Sequence, residues 1–328
     1  MNVKVSVIVP VYGVERFILK CAKSLFEQTL QEVEYVFIDD ATPDQSIRLL
    51  ESTLMEYPYR KEFVKVIHHS SNKGLPAARN TGLDAVTGEY VFHCDSDDYV
   101  EPDMLETLYT KAHSSDADVV WCDWFLTFGN NERYMKQPYC ATPGEAVKAM
   151  LGGSMKFNVW NKLVKRNLYQ KNGIRFPDGH GMGEDMTMIL PFVFAKKVEY
   201  VPMAFYHYVK TNSGAFTQNH STKHLEDLQY NVSRIENSLR RIYGNSLDKE
   251  IAFLKLETKF PLLIMGCRSE QYKLWTLLYP EANKFICQNT YISFRSRALE
   301  WCAWKRQWWI IRLYYFFVIR FIYGVIYR

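Results

Sequence analysis

The chain has 328 residues, 48% of them hydrophobic and 23% charged, with 40 Lys and Arg against 36 Asp and Glu. Such a length supports one large or two modest domains with a real core, and the composition excludes a disordered chain. A net charge of +4 is too small to imply a nucleic-acid partner.

In chain order, Val5 to Val9 is a short β-branched run, followed by Pro10, and reads as a first strand. From Val14 the apolar residues Val14, Phe17, Ile18, Cys21, Ala22, Leu25 and Phe26 take helical spacing. Tyr35 to Ile38 is a second strand, stopping at Asp39-Asp40. Thr42-Pro43-Asp44-Gln45 then predicts a helix with Thr42 as N-cap and Pro43 in its first turn. Phe63 to Ile67 is a third strand, Pro76 to Val86 a helix, and Tyr90 to Cys94 a fourth strand running into Asp95-Ser96-Asp97-Asp98. Asp103 to Ala112 reads as a helix and Val119 to Cys122 as a fifth strand. Alternation of this kind predicts an α/β fold with a mostly parallel sheet and helices on both faces. Ligands bind beyond the carboxyl ends of such strands, where both acidic clusters fall. Residues 130–220 are irregular and aromatic-rich, and from Thr222 helical spacing returns to about Ile286.

Seven scattered cysteines, none in a CxxC pair, argue against a disulfide framework and suit a reducing compartment. The N-terminus lacks the apolar run of a signal peptide, so a cytoplasmic location is expected.

Asp95 and Asp97 are alternate residues on extended chain, so both carboxylates face one way. A hard cation such as Mg²⁺ or Mn²⁺ takes one or two carboxylates and completes its shell with phosphate oxygens and water. That predicts a metal at Asp97, with Asp95 beside it; the alternative is a solvated turn capping the next helix. Glu184-Asp185 offers a general base, and equally caps a helix from Met186 to Ala195. Tyr206-His207-Tyr208 with Lys210 reads as a strand of core aromatics, whereas the family resemblance carried by the segments that follow implies a lid, with His207 on the metal and Lys210 on phosphate. Trp160 is a sugar-stacking ring or a core ring, with Asn161 and Lys162 available for hydroxyls or phosphate.

Five segments in order carry a resemblance: Val7-Ile8-Val9-Pro10-Val11-Tyr12, Phe37-Ile38-Asp39-Asp40-Ala41-Thr42, Gly74 to Gly82, Gly88-Glu89-Tyr90-Val91-Phe92, and Asp95-Ser96-Asp97-Asp98. Together they resemble the family-2 inverting glycosyltransferases of GT-A fold, typical of bacterial polysaccharide assembly. Val159-Trp160-Asn161-Lys162, Ile174 to Pro177 and Gly183-Glu184-Asp185 resemble the acceptor half of that family. The resemblance implies a UDP-sugar donor, a saccharide or lipid-linked saccharide acceptor, and transfer of a hexose or N-acetylhexosamine. It implies that Pro10 and Tyr12 shape the nucleotide pocket, that Asp40 reads uracil, and that Arg79 lies near the diphosphate with Asn80 ordering its loop. Asp95 and Asp97 match the DxD motif, and Asp185, with Glu184 beside it, matches the catalytic base. Two positions depart from the pattern: Gly13 stands where the family has Asn, and Ala41-Thr42 where it has Gly-Ser. The alternative is a non-catalytic sugar-nucleotide or glycan-binding protein of the same fold.

Residues 301–328 are dense in Trp, Tyr and Phe, and their charges are all positive. The apolar stretch is nearly long enough to span a bilayer, but Arg320 would then sit at its midplane, costing about 2.5–3.5 kcal/mol. The expectation is an amphipathic helix lying peripherally on the cytoplasmic face of the membrane, the alternative an aromatic helix packed on the protein. The expected organisation is a glycosyltransferase domain at 1–220 (a nucleotide half at 1–125, an acceptor half at 126–220), a helical extension at 221–290, and a membrane-associating tail at 291–328.

Overall fold

A computed structural model describes residues 3–129, 131–210, 222–266 and 268–326. The boundary expected at 220–221, Cys267 and the last two residues of the tail lie outside the described residues. Two compact units emerge, one built from 1–146 with 157–231, the other from 147–156 with 232–328.

The first unit is built on a nine-stranded sheet. Its strands are β1 (Val5–Val11), β2 (Val33–Asp39), β3 (Val64–His68), β4 (Tyr90–His93), β5 (Tyr99–Val100), β6 (Val119–Phe128), β7 (Asn131–Met135), β8 (Lys162–Lys165) and β9 (Val198–Val209). They run in the order β3-β2-β1-β4-β8-β6-β9-β5, with β7 on β6. The nucleotide half, β3-β2-β1-β4, is parallel, as its apolar runs predict. The acceptor half is mixed: β8 enters antiparallel between β4 and β6, and β9 runs parallel to β6. All seven residues of β1 are buried, as expected of a strand covered on both faces. Pairing of β4 with β1 ends at Ile8–His93, so Pro10, which has no N–H, lies past that ladder.

The helices of this half are α1 (Ile18–Phe26), α2 (Ser46–Leu54), α3 (Leu75–Ala85) and α4 (Met104–Ser115). α2 starts at Ser46 and not at Thr42. The reason is Asp44, whose Oδ1 accepts from the N–H and hydroxyl of Ser46 and the hydroxyl of Thr42, so it caps the turn in place of Thr42. α1 likewise begins four residues after Val14. α3 packs on β1 through a glycine: a Cβ on Gly82 would lie 2.3 Å from the Ile8 side chain. The chain continues through α5 (Pro143–Gly152), α6 (Arg166–Lys171) and α7 (Ile189–Phe194). A 3-10 turn at Glu184–Met188 leads into α7, where one helix from Met186 to Ala195 was expected.

The second unit is helical: α8 (Thr222–Tyr243), within which the division of units falls, α9 (Asp248–Lys259), α10 (Pro261–Ile264), α11 (Ser269–Leu277), α12 (Phe294–Trp304) and α13 (Trp308–Tyr314). Its core joins Phe253, Leu256, Trp275, Ile286, Leu299, Ala303 and Ile311. The tail is therefore no single surface helix. Its first part breaks at Arg306, held at φ +58°, and packs into the helical core through Ala303 and Ile311. Beyond Tyr314 a π-helical segment (Tyr315–Ile326) continues from α13 with Phe316, Phe317 and Phe321 exposed. Among the described residues no helix is long and apolar enough to cross a membrane.

Candidate active site

The carboxyl ends of β1, β2 and β4 carry the first group of residues. Past β1, Tyr12 is 51% exposed and Gly13 takes φ +67°, its N–H donating to the Thr42 hydroxyl at 2.8 Å. The left-handed backbone explains the first departure from the family pattern, because Gly and Asn are the two residues that enter this region most readily. Ala41 sits at φ +55°, where the family's Gly would be at ease, so the second departure stores a little strain.

Asp40 is buried, and its carboxylate is already committed. Oδ1 pairs with His69 Nδ1 at 2.7 Å and accepts the Lys73 N–H at 2.8 Å, while Oδ2 accepts the Gly74 N–H at 2.8 Å. It anchors the loop that starts α3, which corrects its reading as the uracil contact. Asp39 keeps more surface; it accepts the Thr42 N–H and pairs with His68.

α3 then delivers two side chains. Asn80 amide and carbonyl groups bond Phe176 O, Asp178 Oδ1 and Phe176 N, so it orders the distant 176–178 loop, whereas the resemblance implied the loop of Arg79 itself. Arg79 is almost wholly buried; its Nη2 donates to Asp95 Oδ1 at 2.7 Å and its Nε lies 3.8 Å from Glu184 Oε1. Burial opposes its charge, but Asp95 and then Glu184 hold its pKa above the ordinary value. Among the described residues its Nε and Nη1 have no hydrogen-bond partner, Nε meeting Glu184 only at ion-pair distance. One guanidinium thus joins the acid after β4 to the acid of the 183–185 loop.

At that loop Gly183 takes φ +83° and the backbone turns into the 3-10 helix. Glu184 is buried, whereas Asp185 is half-buried and is the accessible acid of the pair. Burial pushes Asp185 up to about 6, restrained by Arg79 and Lys162 and raised further by Asp95. Burial and then Asp185 push Glu184 up to about 8. Asp95, Glu184, Asp185, Arg79 and Lys162 therefore share one electrostatic neighbourhood, although 106 positions separate Arg79 from Asp185.

Lys162 is fully buried, its Nζ donating to Asn158 O at 2.7 Å and Asn161 Oδ1 at 2.8 Å. Burial lowers it to about 7, against the raising effect of Cys122 and Asp185. Asn161, also fully buried, donates to Cys122 O. Neither reaches solvent to bind a hydroxyl or phosphate, which corrects both readings. Trp160 is a core ring, stacked on Tyr206 at 4.4 Å and Tyr208 at 5.3 Å, with little face left for a sugar.

Asp97 is half-buried on the turn after β4. Asp98, next to it, is buried, and accepts the Tyr206 hydroxyl and the Val209 N–H. The Tyr206 oxygen in turn accepts the Asp95 N–H at 3.0 Å. Sequence reasoning missed this clamp, whose only signal is a tyrosine in an aromatic strand. Lys210 is exposed, and Asp98 and Asp97 both act on it, so it stands beside the DxD turn. His207 does not. Its nitrogens pair with Glu132 at 2.7 Å and Glu101 at 2.8 Å, and its ring stacks on Tyr99 and Phe125. Both ligating atoms are engaged, which corrects its reading as a metal ligand. Among the described residues no three His, Cys, Asp or Glu converge on one point. The hard oxygen donors of Asp95 and Asp97 nevertheless fit a cation of the Mg²⁺ or Mn²⁺ kind, which needs only one or two carboxylates when substrate phosphates supply the rest.

The profile of Glycosyl transferase family 2 matches residues 6–187. EpsH of Bacillus subtilis (strain 168) is 32% identical over 212 residues, which cover 62% of this chain and 60% of EpsH. The match therefore spans less than two thirds of that relative's length. Among solved structures, S. aureus TarS 1–349 in complex with UDP-GlcNAc superposes with a TM-score of 0.67 at 20% identity, over 95% of this chain and 91% of TarS 1–349. The mannosyltransferase PcManGT of Pyrobaculum calidifontis, in complex with GDP-Man and Mn²⁺, superposes with a TM-score of 0.57 at 16% identity, over 97% of this chain and 88% of its own. Both likenesses are of fold.

Proposed function

The chain belongs to glycosyl transferase family 2, and from that premise we propose that it moves a hexose or N-acetylhexosamine from a UDP-sugar to a saccharide hydroxyl with inversion. The observation that carries the reading is the buried Arg79, which ties Asp95 at 2.7 Å to Glu184 at 3.8 Å and so joins the donor side of the cleft to the base side. Asp185 is the base. An acceptor hydroxyl is a weak acid and must lose its proton as the new bond forms. A carboxylate raised to about 6 is still mostly ionised at neutral pH, yet holds a proton better than an ordinary aspartate. Lys162 and Arg79 keep that carboxylate from rising further, and burial with Asp185 raises the neighbouring Glu184 as well.

Arg79 and Lys210 contribute positive charge on the diphosphate side. Asp97, with Asp95, would hold the divalent cation, whose chemistry is to offset charge on the departing diphosphate. Tyr12 packs against the base, and uracil recognition falls to Asp39, the less committed acid of its pair. The TarS complex with UDP-GlcNAc supports a uridine donor. The acceptor is a lipid-linked saccharide, reached from the membrane surface through the exposed aromatics of 315–321 and the cations near them.

UDP release from a panel of UDP-sugars, with membranes as acceptor, tests the reading. Asp185→Asn should release UDP at least a hundredfold more slowly than the parent, on the order expected for loss of a general base. Equal rates would reject Asp185 as base.

A further inference from the structure

The helical unit carries a concavity of about 350 Å³ that plays no part in the chemistry above. It is lined by Lys273, Arg306 and Arg312, by the rings of Tyr272 and Trp308, and by Ser269, and no lining residue is acidic. Among the described residues none of the three cations has a carboxylate partner; the one side-chain bond among them is Arg312 Nη2 to the Ser269 hydroxyl at 3.4 Å. Three like charges gathered without a counter-charge repel one another, and an anion in their midst removes that cost. The aromatic wall is ordered, with Tyr272 and Trp308 parallel to within 4° at 4.9 Å and the Arg312 guanidinium 6.0 Å from the Tyr272 ring. Arg306 reaches the cleft from a left-handed backbone at φ +58°, a conformation that an arginine enters at a cost.

We propose that this cleft binds the phosphate headgroup of an anionic glycerophospholipid. Guanidinium groups match phosphate oxygens in pairs, and an ammonium adds a point charge. The lipid is favoured as the source because one helix serves both ends of such a molecule. α13 supplies Trp308 and Arg312 to the cleft, exposes Trp309 and Leu313, and runs on into the segment that exposes Phe316, Phe317 and Phe321. Cations over a phosphate and aromatics at the depth of the acyl chains are the pattern of an interfacial helix. The inference rests on the reading of the chain as a membrane-surface enzyme and gives that surface a defined headgroup site.

The test is co-sedimentation of the full chain with phosphatidylcholine vesicles, with and without phosphatidylglycerol. The parent should prefer the anionic vesicles. The triple variant Lys273→Gln, Arg306→Asn, Arg312→Gln should lose that preference by on the order of a hundredfold, at roughly fivefold per charge removed, while melting as the parent does. Asn is used at 306 because it tolerates the left-handed backbone. A control triple, Arg241→Gln, Lys249→Gln, Lys284→Gln, removes the same charge from exposed positions of the same unit and should keep most of the preference. Equal loss in both triples would overturn the cleft and leave only general attraction, with the membrane reading intact. No binding of the parent to either vesicle would overturn both. Complete displacement by glycerol 1-phosphate at the concentration of accessible lipid phosphate would assign the cleft to a soluble phosphate ester and overturn the lipid assignment.

Discussion

Replacing Arg79 by Met removes the cation that links Asp95 to Glu184 while keeping its aliphatic stem. At an effective dielectric constant near 20, unit charges 2.7 Å apart attract by roughly 6 kcal/mol. Asp95 keeps about a quarter of its side chain in solvent, which screens part of this. Removing one partner of a buried pair costs about 3–5 kcal/mol, and the screening favours the lower end. For a unit of this size each kcal/mol moves the melting temperature by about 2–4 °C, so a fall of roughly 6–12 °C is expected. A second effect appears in the chemistry. Arg79 is the strongest influence holding Asp185 down, so its loss drives that carboxyl above about 6. The base acts only when ionised, and the acid limb of kcat/KM against pH therefore moves to higher pH. The deficit of the variant should be several-fold larger at the acid end of the profile than at the alkaline end. UDP release across the pH range and thermal melting read the two effects. Arg79→Lys keeps a charge without the fork and should hold the acid limb near its parental position. An unmoved limb in Arg79→Met would refute the electrostatic coupling of the two sides, and a melting temperature within a degree or two of the parent would refute the buried pair.

Other outcomes follow from single residues. Asp97→Asn should raise the Mn²⁺ concentration for half-maximal UDP release at least tenfold, whereas His207→Gln should leave it unchanged; a metal titration of both variants decides. Glu300 is buried, with no hydrogen-bond partner for either oxygen among the described residues, and burial raises it to about 8 from 4.5. The folded chain holds that proton to higher pH than the unfolded chain, so its contribution to stability is complete below pH 4.5 and is lost as pH rises toward 8. Melting curves of Glu300→Gln should fall less steeply with pH across that window, and parallel curves would refute it. Ala41→Gly relieves the left-handed backbone and should stabilise the chain by about 0.5–1 kcal/mol in urea titration.

The parallel half of the fold was plain in the sequence because β1, β2 and β4 are buried on both faces and read as apolar runs, the last two leading into acids. The proposed base was legible in Gly183-Glu184-Asp185, where the family resemblance and the capping pattern point to the same pair of acids. Other assignments failed for a common reason: the partners that decide a side chain's role arrive from distant segments. Asp40 is spent on backbone amides 33 and 34 residues later. His207 is taken by Glu101 and Glu132, both more than 70 residues away. Lys162 sits in a strand whose neighbours bury it, against the usual exposure of lysine. The start of α2 shows the local version, since Asp44 accepts the Ser46 N–H and the Thr42 hydroxyl while the Gln45 N–H goes to Glu15.

Asn80 bonds the peptide of Phe176 on both its N–H and C=O sides, and the Tyr206 hydroxyl bridges Asp95 and Asp98. These stitches join the two halves expected at 1–125 and 126–220, whose boundary falls inside β6 (Val119–Phe128). Shuffling halves between such enzymes, an obvious route to a new acceptor for an old donor, would break them unless both seams were transplanted together. A hybrid that carried only the second half would fold with its proton acceptor adrift from the leaving group, and would be expected to bind its donor while turning it over poorly.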